Sequence, residues 1–337
     1  MKSMLGLLLF ITAFASCKKD LDGTPETKPG NLSIERIQPD SASGGAVLIV
    51  KGSGLGQISS VMFEKDRVPA TFNPVFNTAD ALVFRVPDTA SGGVQNIIFT
   101  NTDGKTASTS FRVIALPSVT AVSSTEFVEG TEITLTGINF EDVSKVVLDG
   151  TTAQAQVVSK SKKQLVIKMP ATTLSRAKLA ITNASGLRVT DQEFVYVDNS
   201  YKIFADAMNA NVNNSSWSTT LANTSEMANV KFGATALKAE YTGSWGGLQL
   251  IMNTPVDLTG YKYVTFWVKG AAVEKNISFN FNWTNSQTLT IPANKWTYFK
   301  VDLQTFQGAG VTKLETFVLQ VNGDPSTFYL DNILLVK

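Results

Sequence analysis

The feature that most limits what this chain can fold into is an internal repeat. Lys51-Gly52-Ser53-Gly54-Leu55 aligns with Thr136-Gly137-Ile138-Asn139-Phe140, Val86-Pro87 with Met169-Pro170, and Asn101-Thr102-Asp103-Gly104 with Asn183-Ala184-Ser185-Gly186. The offsets are 85, 83 and 82 positions, so the repeating unit is one small domain. Each copy contains short alternating runs, such as Val47-Leu48-Ile49-Val50 and Ile133-Thr134-Leu135-Thr136. Asp-Gly and Ser-Gly pairs between such runs supply the positive φ that tight hairpins need. Short strands, regular turns and no helical period predict one β-sandwich over 32–115 and a second over 116–198.

Beyond residue 199 the composition changes. All five Trp of the chain lie there. Alternating strands are legible at Gly247–Met252, Tyr263–Lys269, Ile277–Thr284, Trp296–Leu303, Thr316–Val321 and Phe328–Val336. With no sustained 3.6-residue period, 199–337 reads as a β-jelly roll. The expected fold class is therefore all-β throughout.

Two absences narrow the chemistry. There is no histidine, which removes Ser-His-Asp and Cys-His catalysis and every His-ligated zinc or iron site. The one cysteine, Cys17, excludes an internal disulfide and a thiolate cluster. A net charge of +1 without a basic block argues against nucleic acid as a partner.

The N-terminus reads as an export signal. Lys2 gives a positive start, Leu5 to Ala15 form an apolar run too short to span a bilayer, and Phe14-Ala15-Ser16-Cys17 follows. This resembles the bacterial lipobox, which implies a signal peptide over 1–17 and lipidation at Cys17. Lys18-Lys19-Asp20 resembles the charged tag of Bacteroidetes lipoproteins that face the cell exterior from the outer membrane. Residues 18–31, rich in Pro, Gly and polar side chains, read as a flexible tether.

The last domain carries the candidate site. A sugar ring offers an apolar C–H face and a rim of hydroxyls, so its binding needs flat aromatic platforms beside amides. Alternation in Ile277-Ser278-Phe279-Asn280-Phe281-Asn282-Trp283 places Asn280 and Asn282 outward and the aromatic set inward, with Trp283 at the strand end free to escape the core. The same rule points Gln249 and Gln320 outward and makes Trp267 the bulky odd residue of its strand. Trp217 sits in a polar Asn/Ser stretch, and Trp245 in a Gly-rich loop, where no core period explains them.

Two family resemblances build on these residues. The repeats, with their G-x-G/N-[LF] turn, their strand ending in Pro and their N-x-x-G hairpin, resemble immunoglobulin-like IPT/TIG domains, which usually act as spacers. Phe204-Ala205-Asp206, Ser216-Trp217, Trp245-Gly246-Gly247-Leu248, Pro292-Ala293-Asn294-Lys295-Trp296 and Phe328-Tyr329-Leu330-Asp331-Asn332 resemble jelly-roll carbohydrate-binding modules. The whole arrangement is similar to the surface glycan-binding lipoproteins of Sus-like uptake systems. That likeness implies non-catalytic capture of a polysaccharide, a β-glucan or a relative, for an outer-membrane transporter complex. It also implies a structural calcium between the first and last strands, at Asp206 and Asp331, although Met208 and Asn209 stand where a further acid is often found. No other cofactor is expected. Two alternatives remain at this point: a surface adhesion or protein-interaction role, and a polysaccharide-active enzyme using two carboxylates.

Overall fold

The computed structural model describes residues 31–337. Cys17 and its lipidation, the Lys18-Lys19-Asp20 tag and the tether up to Gly30 lie outside the described residues. The chain divides into two units, one running through Leu116 and taking in Ala184–Gly186, the other comprising Pro117–Asn183 and Leu187–Lys337.

In the first unit a three-stranded sheet orders Ser33–Gln38, Val47–Ser53 and Ala81–Arg85. A five-stranded sheet orders Ser41–Ala42, Thr106–Val113, Gly93–Asn101, Ile58–Phe63 and Val68–Ala70. Alternate residues of both, among them Leu48, Val50, Phe84, Phe63, Phe99 and Phe111, form one buried core. The second repeat builds its own core from Ile133, Leu135, Phe140, Val146, Leu165, Ile167 and Ile181.

The repeated turn has a steric reason. A Cβ on Gly52 would lie 2.0 Å from the Ser33 carbonyl oxygen, and one on Gly137 would lie 1.9 Å from that of Ser118. Each repeat thus lets its first strand approach the turn through a glycine at the same place. The strand-ending Pro motif is equally regular. Val86 N donates to Ala46 O, and Met169 N donates to Thr131 O, each at 2.9 Å.

The last domain packs two antiparallel sheets. One orders Ala207–Met208, Tyr201–Ala205, Ser326–Val336, Ala236–Tyr241 and Thr219–Thr224, with Tyr263–Lys269 paired to Ser326–Val336 and Trp296–Asp302 paired to Tyr263–Lys269. The other orders Val212–Asn214, Gly247–Asp257, Lys313–Val321, Lys275–Phe281 and Thr284–Ile291. Leu248, Leu250, Phe266, Phe279, Phe281, Phe317, Leu319, Phe328 and Leu330 fill the space between them. Burying this many large side chains supplies the main driving force for the domain. No helix among the described residues is long and apolar enough to cross a membrane.

The second repeat is fastened to the last domain. Val195 and Val197 pack with Leu334 and Val336 in a separate apolar cluster. Glu193 bridges Arg176 at 3.0 Å and Lys300 at 2.6 Å, and both cations lie over the Tyr263 ring. Trp267 belongs to this joint. Its indole N–H donates to Glu126 of the second repeat at 3.0 Å, its ring meets Tyr298 at 4.9 Å, and Lys231 Nζ stands 4.5 Å from its centroid. Asn332 donates a second hydrogen bond to the same Glu126 oxygen at 2.8 Å. The other oxygen is buried without a partner. Burial pushes the Glu126 carboxyl up to about 8, against the pull of its two donors. The structure places Trp267, a candidate ligand contact from its sequence, at this joint instead. Its indole N–H is consumed inside the protein.

Candidate functional site

The second sheet of the last domain presents its outer side through alternate residues. Gly247 pairs with Gln320, which pairs with Ser278, while Gln249 pairs with Val318, which pairs with Asn280. Trp217 and Trp283 meet on this side, and the backbone of Trp245 borders it.

Trp217 lies flat on the sheet. It forms an isolated antiparallel bridge with Gly247, exchanging two 3.0 Å backbone hydrogen bonds. A Cβ on Gly247 would lie 2.0–2.1 Å from two carbons of the six-membered ring of Trp217. Only glycine leaves room for the indole there. The Trp217 indole N–H donates to the Trp245 carbonyl at 2.8 Å, which fixes the ring orientation.

Trp245 is displayed by a pinned loop. Thr242 N donates to Ser218 O, Gly246 N to Gly243 O, Val321 N to Gly246 O and Gly323 N to Ser244 O, at 2.8–3.1 Å. Gln320 adds a side-chain hydrogen bond to the Trp245 carbonyl at 3.2 Å. The Trp245 side chain is left 62% exposed. A rigid loop holding an open indole is costly to solvation unless something covers it.

Trp283 occupies a two-residue hairpin turn. The strands Lys275–Phe281 and Thr284–Ile291 close with Phe281 opposite Thr284, leaving Asn282 and Trp283 at φ 49° and 59°. Both central residues in the left-handed region mark a type I′ turn, where Asn-Gly is the usual pair. A tryptophan there is a conformational outlier. The turn also breaks the strand's alternation. Trp283 therefore leaves the inward set that it would share with Phe279 and Phe281. Its ring comes to 5.5 Å from that of Trp217, tilted by 34°, and it stays 55% exposed.

The amides divide. Asn280 points outward but is buried, accepting from Trp283 N at 3.0 Å and donating to Ser286 Oγ at 3.3 Å. Asn282 accepts from Glu315 N and Thr316 N at 2.9 Å each and donates to Lys313 O at 2.8 Å. Both amides build the hairpin turn that carries Trp283, so the expectation that they read hydroxyls is corrected. Gln249 is half-buried on the tryptophan side and its side-chain amide is unengaged among the described residues, while its backbone N–H is tied to Ser216 Oγ at 3.1 Å. Gln320 keeps its carbonyl oxygen for a partner.

The structure thus brings together Trp217, Trp245, Trp283, Gln249 and Gln320, and leaves Trp267 at the joint. Gly247 is the residue that sequence reasoning undervalued. Its signal was a glycine opening an alternating strand, two positions after Trp245.

Asp206 and Asp331 do not form a calcium cage. Asp206 accepts from Ala234 N and Thr235 N at 2.6 and 2.8 Å, and Asp331 accepts from Lys231 N, Phe232 N and Asn332 N at 2.9–3.0 Å. Calcium requires oxygen donors, whereas five N–H groups point at these carboxylates. The donor set fits an anchor for the 231–235 loop and does not fit the ion. Burial raises the Asp331 carboxyl to about 6. Among the described residues no group of three or more His, Cys, Asp or Glu is set to hold a metal.

Two segments match the IPT/TIG domain family model, 32–113 and 117–196. These segments are IPT/TIG domains. The surface glycan-binding protein PbSGBP-B from Prevotella bryantii shares the fold at a TM-score of 0.56 and 16% identity, over 90% of this chain and 98% of that one. SGBP-B from a complex xyloglucan utilization locus in Bacteroides uniformis aligns over 90% of this chain and 99% of its own at 19% identity and a TM-score of 0.46. A family 29 carbohydrate-binding module aligns with 41% of this chain and 87% of its own, at 16% identity and a TM-score of 0.30. No curated protein sequence matches the chain. Two IPT/TIG sandwiches followed by a two-sheet β-jelly roll is the architecture.

Proposed function

We propose that this chain is a non-catalytic polysaccharide-binding protein whose glycan lies across Trp217, Trp283 and Trp245. The observation that carries the reading is the Trp217–Trp283 indole pair on one side of one sheet, with Trp245, 62% exposed, on the pinned loop whose carbonyl holds the Trp217 ring. Stacking on the C–H face of a sugar covers that apolar surface, and Gln249 and Gln320 are placed to meet hydroxyls. A β-linked glucan suits an open aromatic face. Its ring substituents are equatorial, so both ring faces are apolar and the chain can lie as a flat ribbon.

Several carboxylates of the domain are engaged in turns or ion pairs, which favours binding over hydrolysis. Asp257 and Asp302 accept from Thr259 N and Gln304 N within turns, Glu240 pairs with Lys238, and Glu226 accepts from Asn229. A glycosidase needs two carboxyl groups facing each other across the scissile bond. The proposal extends to location and partners. Lipidation at Cys17 would hold the protein on the outer membrane, facing the cell exterior, with the IPT/TIG domains as spacers. Captured glycan would then pass to a Sus-like transporter complex. The apolar run ending at a lone cysteine supports this reading. The purified protein, incubated with a panel of polysaccharides, should retain glucan in an affinity gel and release no new reducing ends. Released product would make it an enzyme, and retention of none of the panel would leave an adhesive role.

A further inference from the structure

We propose that the last domain carries a second sugar site, separate from the tryptophans, for a single sugar unit such as a side branch. That its ligand is a sugar rests on the proposed glycan function. The site is a cleft of about 510 Å³, within the range of small-ligand pockets. Its walls include Lys269, Val273, Lys275, Asn294, Thr327 and Tyr329.

The cleft lies at the rim where the two sheets meet. Lys269 ends a strand of the first sheet, Lys275 begins a strand of the second, and Thr327 and Tyr329 flank the buried Phe328 on the outer side of the first. The Trp217–Trp283 face belongs to the second sheet, so the two surfaces are distinct. They share one rim: Gly323 N, in the turn before the cleft strand, donates to Ser244 O of the Trp245 loop at 3.1 Å.

The floor is built rather than loose. A Cβ on Gly270 would fall 2.0 Å from the Pro292 carbonyl oxygen. Asn294 N donates to Ala271 O at 2.8 Å, locking the 270–275 connection to the 292–295 turn. Lys269 Nζ is already positioned by the Ala228 carbonyl at 2.8 Å and Asn229 Oδ1 at 2.9 Å, which leaves its third N–H for a ligand. The half-buried Tyr329 ring sits 5.8 Å from that ammonium and offers an apolar plane. Val273, 58% exposed, stands at the lip. Lys275 has the Asp324 carboxylate at 4.0 Å, so its charge is locally offset. An aromatic plane, an apolar lip, and the donors and acceptors around the opening match one sugar ring.

The test is an amide-resolved NMR titration of the mature full-length chain with glucose, xylose, galactose and cellohexaose. At least one monosaccharide should shift amides within 269–275 and 325–329. Those shifts should vanish in Thr327→Trp, whose indole fills the cleft, and persist in the Trp217→Ala/Trp283→Ala double variant. Val273→Trp serves if Thr327→Trp does not fold. Thr327→Trp should also weaken binding of the parent polysaccharide several-fold, up to about tenfold, through lost avidity, and leave cellohexaose affinity unchanged. Cleft amides that no monosaccharide moves, or that move equally in the filled variant, overturn the proposal. Failure of cellohexaose to shift residues 217, 245–249 and 283 overturns the tryptophan-face reading in the same spectra.

Discussion

Position 283 allows the link between backbone strain and binding to be measured directly. Trp283 adopts φ 59° in a type I′ turn and is 55% exposed. Truncating it removes a little under half of a tryptophan's surface from burial. That is about 100 Å² of the roughly 200–250 Å² such a side chain offers, or about 2.5 kcal/mol at ~25 cal/mol/Å². Trp283→Ala and Trp283→Gly lose this contribution equally. They differ in the backbone. Alanine keeps the left-handed cost of roughly 1–2 kcal/mol, and glycine does not. Glycine gains freedom in the unfolded chain, which takes back roughly 0.4–1 kcal/mol. The glycine variant should therefore be more stable than the alanine variant by about 1 kcal/mol, a Tm difference of roughly 2–4 °C. In an ordinary strand the order is reversed by roughly 0.5–1 kcal/mol. Thermal melts of the two variants side by side read the sign. Both should lose about 1–3 kcal/mol of glucan binding, since the lost platform is the same. If alanine proves the more stable, Trp283 is not held in a left-handed turn, and the argument that strain is kept there for ligand contact fails.

Other expectations can be checked as simply. Gly247→Ala places a methyl group where the Trp217 ring lies, so the indole must lift. Glucan affinity should fall about tenfold or more, and the near-ultraviolet circular dichroism should change with it. Glu126 has a folded-state carboxyl raised to about 8 from an ordinary 4.5. A carboxyl raised on folding contributes its stability below its unfolded value, and this is lost as pH climbs from about 4.5 through 8. Glu126→Gln should flatten the fall of Tm over that window and be the more stable protein above pH 8. An unchanged slope would show that Glu126 is solvated in solution. Cys17→Ala should release the protein from the detergent phase in a partition assay; continued fractionation with outer membranes would rule out the lipid anchor.

Alternation alone exposes much of this fold. Leu248, Leu250, Met252, Phe317, Leu319 and Val321 are buried as their spacing in the sequence requires, and the recurrent Gly52 and Gly137 mark equivalent close approaches. What alternation misses is where it stops and what lies far away in the chain. The strand through Asn280 ends at Phe281, so the parity that sends Asn282 outward and Trp283 inward no longer applies in the two-residue turn. Asn280 does face outward, but Trp283 N and Ser286 consume its amide, and those contacts follow from the turn geometry. Trp267 also faces outward, onto Glu126, 141 residues earlier, and no local pattern signals that partner. Asp331 stands on the last strand and Asp206 in the bend that follows the first. The loop at 231–235 directs N–H groups at them, which only the folded backbone reveals.

The central claim is that a glycan rests on the tryptophan face of the last domain. Isothermal calorimetry of the mature full-length protein with cellohexaose tests it most directly, alongside the Trp217→Ala/Trp283→Ala double variant. Stacking on exposed rings adds modest apolar contact, and each hydroxyl bond largely replaces one to water, so the parent should bind at about 10–1000 μM, roughly 4–7 kcal/mol. The double variant should show no measurable heat while its melt remains cooperative. Unchanged binding by a folded double variant would contradict the account and move the glycan to another surface.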